Sequence, residues 1–207
     1  MDNATDEPAR ASYRRSAGSP RGEARRRELL AKITDDVAEN GLVDFSLRRA
    51  ARAAGTTHKV LLYHFEGAED LLRQVVVTLR ERRIGNALAA VAGSPSTLAG
   101  RVRAAWESLR DEETQLRRVL DQAMGLAMYD PGRYAALGRH ASQQYLPTLM
   151  AFCPQLWPEQ RKLEVASMIL ATLRGFLVDL LTSDDGAGAA AGFDALLRAV
   201  EREEAAP

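Results

Sequence analysis

Residues 46–72 read SLRRAARAAGTTHKVLLYHFEGAEDLL and carry the clearest structural signal in the chain. They contain two short helix-forming runs, each directly preceded by a hydroxyl residue, with Gly55 between them. Hydroxyl side chains cap the beginnings of helices, and glycine tolerates the positive φ of a tight turn. These residues therefore predict one helix over residues 47–54 and a second over residues 58–64.

The small residues of the first predicted helix indicate how the two helices pack. Ala50, Ala51 and Ala54 would share one face with Leu47, and the second helix could cross closely over them. Such a pair is a helix-turn-helix, whose second helix can enter the major groove of DNA. The residues that would then supply donors and contact area to base edges are Thr57, His58, Lys59 and Tyr63.

Outward from these residues the pattern is helical. Apolar residues recur at helical spacing over residues 22–40, whereas residues 1–21 show no periodicity and are expected to form a disordered arm with Arg14 and Arg15. Further helices are predicted over residues 68–92, 98–110, 112–129, 132–151, 159–181 and 189–203, and Pro147 is expected to kink or shorten the fourth of these. No segment alternates with a period of two, so the predicted fold class is all-α.

The composition excludes several classes of protein. A chain with 46% hydrophobic and 27% charged residues is typical of a globular domain. The longest apolar stretch, near residues 166–181, is interrupted by Arg174 and Asp179, so we expect no membrane span and a cytoplasmic location. The single cysteine, Cys153, excludes an intramolecular disulfide and a cysteine-rich zinc site, and is expected to be a small buried filler.

Charge is distributed unevenly along the chain, although the net charge is zero. Residues 10–65 contain 12 Lys or Arg and 6 Asp or Glu, whereas residues 86–207 contain 12 and 15. A basic N-terminal part favours a polyanionic partner at that end, although a solvated basic surface gives the same count. The arginines at 14, 15, 21 and 25–27 could follow a DNA backbone or only keep the arm soluble.

Residues 23–72 resemble the DNA-binding domain of the TetR family of transcriptional regulators. Residues 174–197, which read RGFLVDLLTSDDGAGAAAGFDALL, resemble the end of the regulatory domain of that family. The resemblance covers residues 23 to 204 and implies a helix-turn-helix domain over residues 22–67, then a ligand-binding and dimerisation domain over 68–207. It also implies a homodimer on a near-palindromic double-stranded operator, a repressor released by a small, mostly apolar effector, and no cofactor.

The resemblance assigns DNA contacts to individual residues. It implies that Arg48 reads a base or holds a phosphate, and that His58 and Lys59 make base-specific contacts. Ser46 and Thr57 fit phosphate contacts, while Tyr63 and His64 fit backbone or thymine-methyl contacts. His64 is equally a candidate for a satisfied core histidine, and Arg49 and Arg52 are expected to be solvated.

The chain departs from the family pattern at two positions. Leu62 stands where the family commonly has Tyr, and Ala68 stands where it commonly has Lys. Both family residues usually bind phosphates, so their absence would remove two backbone contacts. The alternative hypothesis is therefore a helical interaction protein that has kept the fold and lost DNA binding. A further variant would bind DNA but have a filled core and no effector.

The same resemblance places an effector pocket and a dimer interface in the C-terminal helices. The candidates for the pocket are Trp106, Met124, Met128, Tyr145, Met150, Phe152 and Met168, with His140, Gln144 and Arg174 as polar contacts. Each of these could simply pack the core. The dimer interface is expected on the last two predicted helices, over residues 159–181 and 189–203, because the first of them is apolar over more than one face. The candidates for the interface are Leu163, Leu170, Leu173, Phe176, Leu177, Leu180, Phe193 and Leu197.

No motif of an enzyme or of a metal site occurs in the sequence. There is no HExxH, phosphate-binding glycine loop or Ser/His/Asp arrangement, so we expect no catalytic residues. Three consecutive carboxylates, Asp111, Glu112 and Glu113, point in different directions on a helix and are expected to be a capping run.

Overall fold

The computed structural model describes residues 19–112, 114–183 and 185–206. Every regular element in these ranges is an α-helix, which confirms the predicted fold class. The helices are α1 (Pro20–Asn40), α2 (Leu47–Ala53), α3 (His58–His64), α4 (Ala68–Ala92), α5 (Leu98–Arg110), α6 (Thr114–Tyr129), α7 (Pro131–Phe152), α8 (Glu159–Thr182) and α9 (Gly186–Ala205). Most of the predicted arm, including Arg14 and Arg15, lies outside the described residues.

Local caps explain where the helix bounds differ from the prediction. α1 begins before residue 22 because the Ser19 hydroxyl accepts a hydrogen bond from the Gly22 amide at 3.1 Å. α9 begins at Gly186, within the predicted loop, because Asp185 accepts one from the Gly188 amide at 2.8 Å. α7 is not shortened at Pro147, since it continues to Phe152.

The chain divides into two compact units inside α4, between Thr78 and Leu79, whereas we predicted the division at the start of that helix. In the first unit α1 packs against α2, and α2 against α3. Leu47 is only half-buried, and Val43, in the short link before α2, is 67% exposed. The core of this unit consists of Leu29, Ile33, Val37, Leu42, Ala50, Ala51, Ala54, Leu61, Phe65, Leu71, Leu72, Val75 and Val76.

The second unit contains the end of α4 and the helices α5 to α9. α7 packs against α6 and α8, while α9 packs against α8 and α5. Its core is organised around Trp106, whose ring stacks on Phe193 at 5.2 Å between centroids and meets Phe176 edge-on at 5.8 Å. Cys153 is buried in the same core, as predicted.

α8 is a long and strongly apolar helix. By length and composition alone it could cross a membrane, although we expected Arg174 and Asp179 to prevent this. One such helix is weak evidence for a membrane span, because core helices of soluble proteins have the same composition. Only 33% of the most apolar window of α8 is buried inside the chain, so apolar surface is left on this helix that a partner could cover.

Candidate nucleic-acid interface and ligand cavity

The turn between α2 and α3 has the geometry that the sequence predicts. Gly55 has a φ of +64°, in the left-handed region that favours glycine. The hydroxyl of Ser46 accepts a hydrogen bond from the Arg49 amide at 3.3 Å, and that of Thr57 accepts one from the Val60 amide at 3.4 Å. Both short helices are therefore capped by the hydroxyl residues that directly precede them, as the sequence predicts.

The residues proposed to contact DNA fall into two groups by exposure. Tyr63 and His64, at the end of α3, are half-buried and pack edge-on against each other with ring centroids 4.8 Å apart. The exposed residues lie instead at the beginnings of the two short helices. The exposed group comprises Ser46 and Arg48, at the beginning of α2, and Thr57, His58 and Lys59, at the beginning of α3.

His64 differs from the other candidates in having a buried ring nitrogen. Its Nδ1 is buried without a hydrogen-bond partner among the described residues, so His64 is not the satisfied core histidine that we considered. Burial lowers the pKa of the imidazole, and the positive charges of Arg26 and Arg25 lower it further. The ring therefore favours its neutral form, which is poorly suited to holding a phosphate.

Two arginines that we expected to be solvated or to follow DNA instead donate hydrogen bonds to other elements of the first unit. The first, Arg26, donates from Nε to the His64 carbonyl at 3.3 Å and from Nη2 to Gln74, and its guanidinium lies 5.2 Å from the centre of the Phe65 ring. These contacts join α1 to the end of α3 and to α4. No local pattern could have predicted them, because the hydrogen-bond partners lie 38 and 48 residues away.

The second is Arg49. It donates from Nε to Asp36 on α1 at 3.0 Å and from Nη1 to the Val43 carbonyl at 2.8 Å. The expectation that Arg49 is solvated was therefore wrong, whereas Arg52 is exposed as expected. Arg48 is exposed as well, so it remains able to contact a phosphate or a base.

The helices of the second unit line a partly open cavity of about 260 Å³. Two of the residues predicted to line a pocket lie elsewhere. Trp106 belongs to the aromatic core, and Met168 lies on the surface, 36% exposed. Five of the sequence candidates line the cavity: Met124, Met128, Tyr145, Phe152 and Arg174. The other candidates do not, namely Trp106, His140, Gln144, Met150 and Met168.

Most polar residues of the cavity wall were not among the pocket residues predicted from the sequence. Arg80, Arg83, Asp121 and Thr148 line it, in addition to Arg174. The spacing of α4 could have indicated one of them, because it places Arg80 on the same face as Val76, Ile84 and Ala87. An arginine within an apolar helical face is buried or lines a cavity more readily than one on a charged face.

Arg83 forms a buried ion pair with Glu112. Its Nε lies 3.1 and 3.0 Å from the two carboxylate oxygens, and the two side chains are only 9% and 6% exposed. Hydrogen bonds to the Glu112 carboxylate help to raise the pKa of Arg83 against the opposing effect of its burial. The predicted capping run was therefore wrong for Glu112, while Asp111 does follow the last residue of α5 as its cap and Glu113 lies outside the described residues.

Most of the residues predicted to form a dimer interface are buried within the chain itself. Leu170, Leu173, Leu177, Phe193 and Leu197 belong to the core, and Phe176 and Leu180 pack against it. Leu163, 39% exposed, is the exception. An interface on this helix would have to use what we call the exposed stripe of α8: Leu163, Ser167, Met168, Ala171, Gly175 and Val178.

Solved structures of other proteins share this architecture. No family model matches the chain, and no curated protein matches it significantly in sequence. The structural matches extend along most of its length. One, from Rhodococcus sp., is assigned to the TetR family of transcriptional regulators, with a TM-score of 0.65 and 15% identity over 87% of this chain and 98% of that one.

Two further structures agree closely. The SCO7518 protein from Streptomyces coelicolor A3(2), assigned as a transcriptional regulator, has a TM-score of 0.66 and 20% identity over 84% of this chain and 96% of that one. The multidrug binding protein EbrR, in complex with imidazole, has a TM-score of 0.66 and 19% identity over 87% and 90%. The chain therefore has the fold of the TetR-family transcriptional regulators.

Proposed function

We propose that this protein is a cytoplasmic, DNA-binding transcriptional regulator of the TetR family. The observation that carries the proposal is the exposed beginning of α3, where Thr57, His58 and Lys59 follow a glycine turn of helix-turn-helix geometry. Two nearby basic residues, Arg26 and Arg49, instead donate hydrogen bonds to other elements of the first unit. Among the described residues, His58 and Lys59 make no such contacts, and Thr57 caps α3.

Within this proposal the contacts divide by chemistry. His58 and Lys59 read base edges, because both present donors at the beginning of the recognition helix. Ser46, Arg48 and Thr57 hold phosphates and so set the register of the motif on the duplex. Tyr63 contributes apolar contact area, and the neutral, half-buried His64 positions Tyr63.

The departures from the family pattern affect the strength of binding. Leu62 is 51% exposed and offers no hydrogen bond to a phosphate. Ala68, in place of a lysine, removes a second phosphate contact. The slope of log affinity against log salt concentration would therefore be shallower by up to about 2 units than with both contacts present. Exposed Leu62 and Val43 also favour the second candidate function, an interaction protein that no longer binds DNA.

The protein acts as a homodimer in this proposal, through the exposed stripe of α8 and four exposed alanines of α9, Ala187, Ala190, Ala191 and Ala195. Two helices from each protomer would form a four-helix interface with two-fold symmetry. The two copies of α3 could then reach successive major grooves of a near-palindromic operator. This arrangement explains why so apolar a helix as α8 is only partly covered within one chain.

The cavity is proposed as the site of a small effector. Its wall is mostly apolar, as in typical ligand pockets, with a few polar groups that can orient a ligand. An effector with different affinities for two states of the dimer would change the affinity for DNA, and repression relieved by the effector is the simplest form of such coupling. α4 contributes residues to both units and is the element through which we propose that this coupling passes.

Selection of binding sequences from random duplex DNA tests the proposal. A regulator enriches a near-palindromic sequence. Replacing Lys59 with Ala should make the free energy of binding to that sequence less favourable by about 1–3 kcal/mol, or reduce the discrimination between bases at one of its positions by the same amount. Lys32→Ala, on the exposed surface of α1, is the matched control. An interaction protein would enrich no sequence at all.

A further inference from the structure

The polar wall of the cavity contains more positive than negative charge. Arg80, Arg83 and Arg174 line it together with one carboxylate, Asp121. Arg83 is neutralised by its bidentate pair with Glu112. This leaves two guanidiniums, which stay protonated in proteins, facing one carboxylate.

Neither of the two remaining arginines has all of its donors satisfied. Arg80 is 2% exposed and donates from Nη2 to the Leu137 carbonyl at 2.8 Å, but its Nη1 is buried without a hydrogen-bond partner among the described residues. Arg174 donates from Nη1 to the Ser142 hydroxyl at 3.2 Å, and its Nη2 is likewise buried and unpartnered there. A buried unmade hydrogen bond from a charged group is costly, so these two donors indicate a missing acceptor.

The electrostatics of the wall point in the same direction. Burial lowers the pKa of Arg80 and of Arg174, and neighbouring arginines lower it further, while Tyr145 opposes this change for both and Asp121 opposes it for Arg174. Burial also raises the pKa of Asp121, although Arg83, Arg117 and Arg174 oppose this rise. Asp121 makes no ion pair with Arg80 or Arg174 within the described residues, so it compensates them incompletely.

We propose that the ligand of this cavity carries one anionic group, such as a carboxylate, on a short apolar body. The anion would accept hydrogen bonds from Arg80 Nη1 and Arg174 Nη2, beside the Tyr145 ring that already lies 5.6 Å from the Arg174 guanidinium. The body would contact the apolar wall, including Leu120 and Met124. The inference rests on the proposed effector site and specifies the chemical class of its ligand.

Three probes of nearly equal size and different charge test the inference. A cavity of about 260 Å³ suits a ligand of roughly ten non-hydrogen atoms, because a protein cavity of about 150 Å³ holds benzene, which has six. Octanoate, octanamide and octylammonium meet this requirement. Their binding to the full-length protein is measured by isothermal titration calorimetry without DNA, so the result does not depend on whether the protein binds DNA.

We expect octanoate to bind about ten- to a hundredfold more tightly than octanamide, because a hydrogen bond to a charged group contributes more than one to a neutral group. Octylammonium should bind most weakly. In the Arg174→Met variant this preference for octanoate should fall to within about threefold. Arg118→Met, which removes an exposed arginine of α6, should keep it.

Three results would overturn the inference. The first is binding of octanamide or octylammonium as tight as that of octanoate, which would indicate a neutral or cationic ligand. The second is an unchanged preference in a folded Arg174→Met protein, with thermal unfolding showing that the variant folds. The third is the absence of measurable binding by all three probes at millimolar concentration.

Discussion

Arginine side chains that look alike in the sequence have different surroundings in the structure. Arg48 is exposed at the beginning of α2, whereas Arg49, the next residue, is held by a carboxylate on α1. Arg83 pairs with Glu112 in the second unit, and Arg80, three residues earlier, has a donor left over. The function of each arginine is therefore set by which partner the fold brings to it.

Loss of Glu112 tests the buried ion pair. Glu112→Ala leaves the Arg83 guanidinium buried without its partner, which we expect to lower the free energy of unfolding by about 3–5 kcal/mol. Glu28→Ala, which breaks pairs with Arg25 and Lys32 on the solvent-exposed surface of α1, should change the stability far less, because solvent screens exposed ion pairs. Urea denaturation at one protein concentration measures both.

The double variant Arg83→Met/Glu112→Met completes this test. It removes both charges, so it should recover most of the stability that Glu112→Ala loses. Equal losses in Glu112→Ala and Glu28→Ala would show that the Arg83–Glu112 pair is not buried as described.

Among the elements, the existence and bounds of the helices could be predicted best. Serine, threonine and aspartate caps and the Gly and Pro stops are local signals, and α3 and α4 begin and end where the pattern placed them. The beginning of α9 was not predicted, because glycines such as Gly186 and Gly188 are typical of loops. In the structure Asp185 caps the helix, which begins at Gly186. A local signal was present there, but it was outweighed by the glycines.

Close packing of α8 against α9 depends on a glycine. A Cβ at residue 192 would lie 2.6 Å from the Phe176 ring, which Trp106 holds edge-on. Gly192→Ala should therefore destabilise the protein by about 1–2 kcal/mol, despite the better helix propensity of alanine.

Gly85→Ala on α4 is the matched control for this substitution. No atom of the described residues lies within 4 Å of a Cβ at residue 85, so the substitution should be neutral or stabilise by up to about 1 kcal/mol. Equal effects of the two substitutions in thermal or urea unfolding would contradict the described contact between α8 and α9.

Across the molecule as a whole, the two candidate sites differed in how far they could be predicted from sequence. The exposed residues at the beginning of α3 belong to one local motif, so their exposure followed from its pattern. The cavity is assembled from α4 to α8, and its polar wall joins residues such as Arg80 and Arg174 that are far apart in the sequence. Helical periodicity shows that a face is apolar, but not whether it covers a core, a cavity or a partner.

The proposed dimer also gives a prediction. Ala171→Glu places a charge in the centre of the exposed stripe of α8, and should raise the dissociation constant of the dimer at least about tenfold, because an unpaired charge is costly in an interface. Leu156→Glu is the matched control, since Leu156 is 98% exposed and lies outside the described helices. Light scattering over a dilution series measures both. A dimer unaffected by Ala171→Glu would exclude this face as the interface.

Selection from random duplexes at two salt concentrations tests whether the exposed beginning of α3 reads DNA. We expect enrichment of a near-palindromic sequence, whose affinity falls by at least about a hundredfold between about 50 and 200 mM salt. We also expect Lys59→Ala to weaken or relax that preference while Lys32→Ala does not. No enriched sequence, or weak binding that salt does not change, would contradict the proposed function and favour a helical interaction protein.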